Sequence, residues 1–215
     1  MKASLSLGGL YAITPGNVAD AGTLLAQAAA VLDGGARMLQ YRDKHHSPEE
    51  RLGLARRLRE ICQARRAFFL VNDDAELALA AGADGVHLGQ SDGDIAQARA
   101  RLGQDAVIGV TCHDSLPLAR QAEAQGADYV AFGRFFPSTS KPQAPPASLE
   151  TLRAARAELS VPIVAIGGVT PDNGAVLLEA GAHWLAAIGA LFDAPDPRAA
   201  AQAFAPLFTP SRGLH

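Results

Sequence analysis

One unit recurs along this chain of 215 residues: an amphipathic stretch rich in Ala, Leu and Arg, a Gly-Ala step, and a short apolar run. It appears as Gly34-Gly35-Ala36 before Arg37-Met38-Leu39, and as Gly82-Ala83 before Asp84-Gly85-Val86. It returns as Gly126-Ala127 before Tyr129-Val130-Ala131, and as Gly181-Ala182 before Trp184-Leu185-Ala186. A glycine ends a helix by taking up the left-handed conformation, after which the chain enters a buried strand. These runs are continuously apolar and do not alternate, as a parallel sheet covered by helices requires.

Filling the gaps predicts eight strands, near 9–14, 37–42, 67–71, 84–88, 106–110, 128–132, 162–166 and 183–188. Helices are expected between them, near 18–33, 48–64, 74–81, 93–102, 115–125, 147–158 and 171–180, with a last one near 197–207. Eight βα units in so short a chain predict an α/β fold, a single (β/α)8 TIM barrel over 1–215 with its core at about 9–207. A doubly wound open sheet is the alternative; no GxGxxG follows the first strand, and the units are evenly spaced. Pro142 to Pro146 reads as a βα loop and Phe208 to His215 as a short tail.

Hydrophobic residues make up 48% of the chain, enough for a sizeable core. The net charge of -3 supplies no global positive field for nucleic acid or a membrane surface, so any affinity for anions must be local. Met1 to Leu10 does not read as a signal peptide, and no apolar run is long enough to span a bilayer. Cys62 and Cys112 make neither a close pair nor a disulfide framework, and a cytoplasmic location is expected. No motif sets the oligomeric state, and a homo-oligomer stays open.

In a barrel of this class the active site is built at the C-terminal ends of the strands. After the second strand comes Gln40-Tyr41-Arg42-Asp43-Lys44, whose alternation sets Gln40, Arg42 and Lys44 on one side and Tyr41 and Asp43 on the other. An amide and two cations converging on the mouth suit an anion such as diphosphate; the alternative is a surface salt-bridge cluster. Asn72-Asp73-Asp74 follows the third strand and His87-Leu88-Gly89-Gln90-Ser91-Asp92 the fourth. Mg²⁺ binds through one or two carboxylates together with waters and phosphate oxygens, which suits Asp73 and Asp92 on adjacent loops. Asp74 is assigned to capping the next helix.

Thr111-Cys112-His113 follows the fifth strand, where Thr111 has a hydroxyl to offer a phosphate. Cys112 and His113 are adjacent on extended chain and point to opposite sides, so Cys112 reads as a packing residue and not a nucleophile. His87 faces the mouth, either toward a substrate ring or as a satisfied core histidine, and His45 and His46 read as solvated loop residues. The loop after the sixth strand carries Ser138, Thr139, Ser140 and Lys141, suited to closing over a phosphate. Gly167-Gly168 and Ile188-Gly189 end the last two strands, where phosphate sites of such barrels form and where backbone N–H groups must come close.

Taken together, from Gly9 to about Leu207, these motifs resemble the thiamine phosphate synthase family. The resemblance implies a transferase reaction: hydroxymethylpyrimidine diphosphate loses pyrophosphate to the ring nitrogen of a thiazole phosphate, giving thiamine phosphate. It implies that Gln40, Tyr41, Arg42, Asp43, Lys44, Asn72, Thr111 and Lys141 bind the pyrimidine diphosphate, with Arg42, Lys44 and Lys141 acting on the leaving group. It implies Asp73 and Asp92 as ligands of a magnesium cofactor, and Ser138, Thr139, Ser140, Gly167, Gly168, Ile188 and Gly189 around the thiazole phosphate. Four positions depart from the family pattern. Its Thr-x-Thr-Lys loop reads Ser138-Thr139-Ser140-Lys141, its serine after the fifth strand is Thr111, and its serine after the eighth is Gly189.

Two rivals bear on the same residues. A related barrel that tautomerises a thiazole carboxylate phosphate needs neither diphosphate nor metal, and has little use for Arg42, Lys44, Asp73, Asp92 and Lys141 together. A non-catalytic binder of thiamine intermediates is the other.

Overall fold

Eight parallel strands pair in sequence order and the last closes on the first, so the sheet is a barrel without edges. The strands are β1 (Gly9–Ile13), β2 (Ala36–Tyr41), β3 (Phe68–Asn72), β4 (Gly85–Leu88), β5 (Val107–His113), β6 (Tyr129–Phe132), β7 (Ile163–Ile166) and β8 (Trp184–Ala187). Helices α1 (Ala21–Asp33), α2 (Pro48–Ala64), α3 (Ala75–Ala81), α4 (Ile95–Leu102), α5 (Leu116–Ala124), α6 (Leu149–Glu158) and α7 (Gly174–Glu179) connect them. The short α8 (Gly189–Phe192) and α9 (Pro197–Gln202) follow β8. The structure is a computed structural model and describes residues 2–17, 20–91, 93–137 and 145–209.

All the helices except α7 and α8 begin where a short polar side chain stands in for the missing turn. Ser47 accepts from the Glu50 N–H while Glu50 reaches back to the Ser47 N–H, with Pro48 inside the first turn. Asp74 accepts from the Leu77 N–H, as its capping assignment requires. Gly82 ends α3 in the left-handed region at φ 66°, whereas α1 ends on a right-handed Gly34 and the turn falls to Gly35 at φ 110°. The expected helix over 197–207 is divided into α9 and a 3-10 turn at Ala205–Phe208. Neither α8 nor the 3-10 turn at Lys2–Leu7 was expected. Of the expected tail, 210–215 lies outside the described residues.

Side-chain alternation divides the core into two layers. One set fills the barrel, including Tyr11, Ile13, Met38, Phe68, Leu70, Val107, Tyr129, Val164 and Trp184. The other, including Leu39, Tyr41, Phe69, Val71, Val130 and Leu185, packs beneath the helices. Both faces of each strand are therefore buried, which is why the strands read as apolar runs. The Lys2–Leu7 turn meets the barrel floor, where the Trp184 indole donates to the Leu5 carbonyl at 2.7 Å.

The Gly-Ala step has a further role at strand entry. The residue after it bonds the preceding strand twice. Asp84 donates its N–H to Phe69 O and its carboxylate accepts from Phe69 N. Asp128 does the same with Ile108, and His183 with Ile163, using its Nδ1 as the acceptor at 3.0 Å. These clamps set strand register at the end of the barrel away from the mouth.

Candidate active site

The mouth holds a cavity of about 630 Å³. Gln40, Arg42 and Lys44 all line it, so the alternation expected for the β2 end holds. Asn72, Asp73, His87, Thr111, Gly167, Gly168, Ile188 and Gly189 line the same cavity, which brings together residues from β2, β3, β4, β5, β7 and β8. Asp92, Ser138, Thr139, Ser140 and Lys141 lie outside the described residues.

Arg42 is held by its backbone. The Thr14 hydroxyl accepts from the Arg42 N–H at 2.8 Å and donates to the Arg42 carbonyl at 3.0 Å. Gly16 lies so close to the guanidinium that an added Cβ would fall 2.4 Å from Nη1.

Tyr41 and Asp43, grouped with the substrate-binding residues on the sequence, are placed differently. Tyr41 is 1% exposed and belongs to the layer beneath the helices, away from the mouth cavity. Its hydroxyl donates to Asp43 Oδ2 at 2.7 Å. His46 Nδ1 meets the same oxygen at 2.7 Å, and the His45 and His46 N–H groups donate to Oδ1. Burial alone would raise the Asp43 carboxyl, but the His45 N–H, the Tyr41 hydroxyl and His46 outweigh it and hold the group at about 2. Asp43 therefore knots the loop that presents Lys44 while lining a second recess behind it. His46, expected to be solvated, is part of that knot.

Asp73 adopts a left-handed backbone at φ 64°, uncommon for a residue other than glycine and concentrated at functional sites. Its N–H donates to the His87 carbonyl at 2.8 Å, and the Asn72 amide donates to its carboxylate. Asp73 faces both the mouth cavity and the recess of about 730 Å³ that it shares with Lys44 and Asn72. Among the described residues, no group of three His, Cys, Asp or Glu side chains is placed to hold a metal ion by itself. One or two carboxylates with phosphate oxygens completing the shell is the arrangement Mg²⁺ favours, and the hard oxygen of Asp73 fits it.

β5 runs on to His113 because an extra residue enters between Thr111 and His113, opposite Ala131 and Phe132. The irregularity leaves Thr111 and His113 on the cavity and turns Cys112 into the outer layer. Cys112 is buried, and burial pushes its thiol up to about 12, so it packs and does not attack.

Below these groups lies a polar layer that the sequence did not disclose. Gln40 Nε2 donates to the Tyr11 hydroxyl. Tyr11 and Tyr129 hydroxyls meet at 2.9 Å, Tyr129 meets His87 Nδ1 at 2.8 Å, and His87 Nε2 meets Thr111 Oγ1 at 2.8 Å. The His87 and Tyr129 rings stack with centroids 5.6 Å apart. Gly109 makes room for Tyr129, since a Cβ there would fall 1.9 Å from the ring. His87 is thus both a bonded core residue and part of the cavity wall. Arg134 and Asp193 also line the mouth, beside Gly167 and Gly189 respectively. The signal for the tyrosines was a hydroxyl inside an apolar strand; the patterning did not assign it to the inner face.

With this geometry in view, a family model described as thiamine monophosphate synthase matches residues 10–191. The chain is 52% identical over 202 residues to a thiamine-phosphate synthase of Thioalkalivibrio sulfidiphilus, covering 94% of this chain and 96% of the relative. It is 56% identical over 200 residues to one from Chromobacterium violaceum, covering 93% and 96%. Among solved structures, a thiamine phosphate pyrophosphorylase from Pyrococcus furiosus superposes with a TM-score of 0.86 at 32% identity, covering 95% of this chain and 96% of that one.

Proposed function

The chain belongs to the thiamine monophosphate synthase family and is a transferase of thiamine biosynthesis that forms thiamine phosphate, and on that premise we propose how its barrel mouth carries the reaction. Hydroxymethylpyrimidine diphosphate lies with its ring toward Gln40 and its diphosphate along Arg42, Lys44, Asn72, Thr111 and Lys141. The observation that supports this most is the convergence of Gln40, Arg42, Lys44, Asn72, Asp73 and Thr111 on one cavity. Tyr41 and Asp43 serve from behind, keeping the Lys44 loop in place.

Departure of diphosphate builds negative charge on its bridging oxygen. Arg42 and Lys44 offer that charge cations from the cavity wall, and Lys141 is assigned to it by the family pattern, a stabilisation that acts selectively on the transition state. Asp73 and Asp92 would hold Mg²⁺. When bound, the ion would neutralise charge on the diphosphate oxygens as a Lewis acid. The pyrimidine delocalises the cation left on its methylene carbon, so the C–O bond breaks ahead of attack. The nucleophile is a neutral ring nitrogen with a free lone pair, and no side chain is needed as its base. Gly167, Gly168, Ile188 and Gly189, with Ser138, Thr139 and Ser140, hold the thiazole phosphate.

The 1–215 chain acts as one TIM-barrel domain on small molecules, with no nucleic-acid or membrane partner. A homo-oligomer is compatible with this reading. Two buried free cysteines suit a reducing cytoplasm. No helix among the described residues is long and apolar enough to cross a membrane.

The test is an assay with both phosphorylated substrates and Mg²⁺ that follows pyrophosphate and thiamine phosphate together. Equal amounts of both are expected, and no product with substrates and metal in excess would overturn the reading. Lys141→Ala and Asp92→Ala should each lower turnover at least about tenfold. A tautomerase of the same barrel would act on a thiazole carboxylate phosphate alone and release no pyrophosphate.

A further inference from the structure

The side chains of Gln40, Tyr11, Tyr129, His87 and Thr111 form one line of hydrogen bonds across the barrel interior. Its direction can be worked out from who is able to donate. Gln40 gives an amide N–H to Tyr11, so the Tyr11 oxygen accepts at that contact. A phenol has a single hydrogen. The only other partner of the Tyr11 hydroxyl among the described residues is Tyr129, 2.9 Å away. If Tyr129 donated to Tyr11, the Tyr11 hydrogen would be buried with no acceptor, which native interiors avoid. Tyr11 therefore donates to Tyr129.

The same count moves along the line. Tyr129 has one hydrogen left and passes it to His87 Nδ1 at 2.8 Å. A ring nitrogen that accepts carries no hydrogen, so the neutral imidazole has its hydrogen on Nε2. His87 Nε2–H donates to Thr111 Oγ1 at 2.8 Å. That contact uses one Thr111 lone pair and leaves the hydroxyl hydrogen for another partner, and Thr111 lines the mouth cavity. Burial of both phenols pushes their ionisation up, which keeps the two hydrogens that the line needs.

We infer that this line fixes His87 as the Nε2–H tautomer and thereby leaves the Thr111 hydroxyl its own hydrogen to donate to the departing diphosphate. Tyr11, Tyr129 and His87 are then positioning residues for the leaving-group contact. A donor oriented before the charge develops costs no reorganisation when the bond breaks. The donor role rests on the diphosphate reading above, whereas the tautomer is a property of the protein alone.

The experiment joins nitrogen NMR of the intact protein, labelled with ¹⁵N in its histidine rings, to steady-state kinetics. Two-bond proton–nitrogen spectra, with His87→Gln to assign the ring, should give His87 a protonated Nε2 and a bare Nδ1. Tyr129→Phe should broaden or reverse that pattern and lower kcat about tenfold, with the KM for the thiazole phosphate unchanged. Tyr11→Phe should lower kcat in the same direction, and it serves if Tyr129→Phe does not fold. In a Thr111→Val background the same substitutions should have no further effect on kcat, while Thr111→Ser should retain activity. A wild-type His87 protonated on Nδ1 would overturn the inference even in an active enzyme. So would substitutions that lower only the melting temperature. A wild-type protein that makes no product would instead sink the diphosphate reading, and the donor role with it.

Discussion

The Thr14 hydroxyl bonds Arg42 twice, accepting its N–H and donating to its carbonyl, so one side chain of the β1 end fixes the backbone of the β2 end. Thr14 is fully buried. Thr14→Val keeps the shape but leaves both Arg42 groups without that partner, at a cost of about 1–3 kcal/mol. Thermal melting should fall by several degrees, and the KM for the pyrimidine diphosphate should rise as Arg42 loosens. An unchanged KM would mean that the guanidinium is positioned by something other than its backbone.

Gly109 is the space that Tyr129 occupies. Gly109→Ala places a Cβ 1.9 Å from the tyrosine ring, against which only backbone or ring movement helps. Overpacking of this kind costs about 1–3 kcal/mol. Melting temperature and activity should both fall. Adding Tyr129→Leu to Gly109→Ala should restore part of the stability and none of the activity, a separation that melting curves and kinetics read directly.

His183 performs at one strand entry what Asp84 and Asp128 perform at two others. Burial first, and Arg156 second, hold its pKa below 6.5. It accepts the Ile163 N–H through a bare Nδ1, a contact that the protonated ring loses. Because the folded pKa is depressed, the unfolded chain binds the proton more readily. The stabilisation is complete above 6.5 and is lost as the pH falls below that value. His183→Asp substitutes an acceptor that stays ionised in this window. Urea midpoints taken at about pH 8 and about pH 5.5 should drop in the wild-type protein and drop less in the variant.

Gly189 stands where the family pattern has a serine. A Cβ there would lie 2.6 Å from Asp193 Oδ2, the end of a side chain that has room to turn. Gly189→Ser should therefore fold. Its hydroxyl adds a hydrogen bond to a charged phosphate, an interaction of about 1.5–3 kcal/mol, so the KM for the thiazole phosphate should fall about tenfold. Asp193→Ala, which removes a carboxylate from the same wall, should lower it as well. A raised KM in both variants would place the thiazole phosphate elsewhere.

Gln40, Arg42 and Lys44 were legible in the sequence because period two survives at a strand end, where one side meets the cavity and the other the helices. The strand count was legible because Gly-Ala steps punctuate it. Tyr11 and Tyr129 were not, because both faces of a barrel strand are buried and an apolar run does not say which residues point inward. Tyr41 illustrates the same limit from the other side: it lies between two cavity residues yet faces the helices. Asp43 was read from its neighbours as a ligand group, when four local donors already occupy its carboxylate. The extra residue of β5 was hidden too, since a bulge alters pairing without altering composition.

The central claim is that the barrel mouth is a magnesium diphosphate site, and calorimetric titration of pyrophosphate into the protein tests it most directly. With Mg²⁺ present the wild-type protein should bind pyrophosphate at least about tenfold more tightly than without it. Asp73→Asn should abolish that metal dependence, and Arg42→Ala should weaken binding in either condition. Equal affinity with and without Mg²⁺ in the wild-type protein, or full metal dependence in Asp73→Asn, would contradict the account.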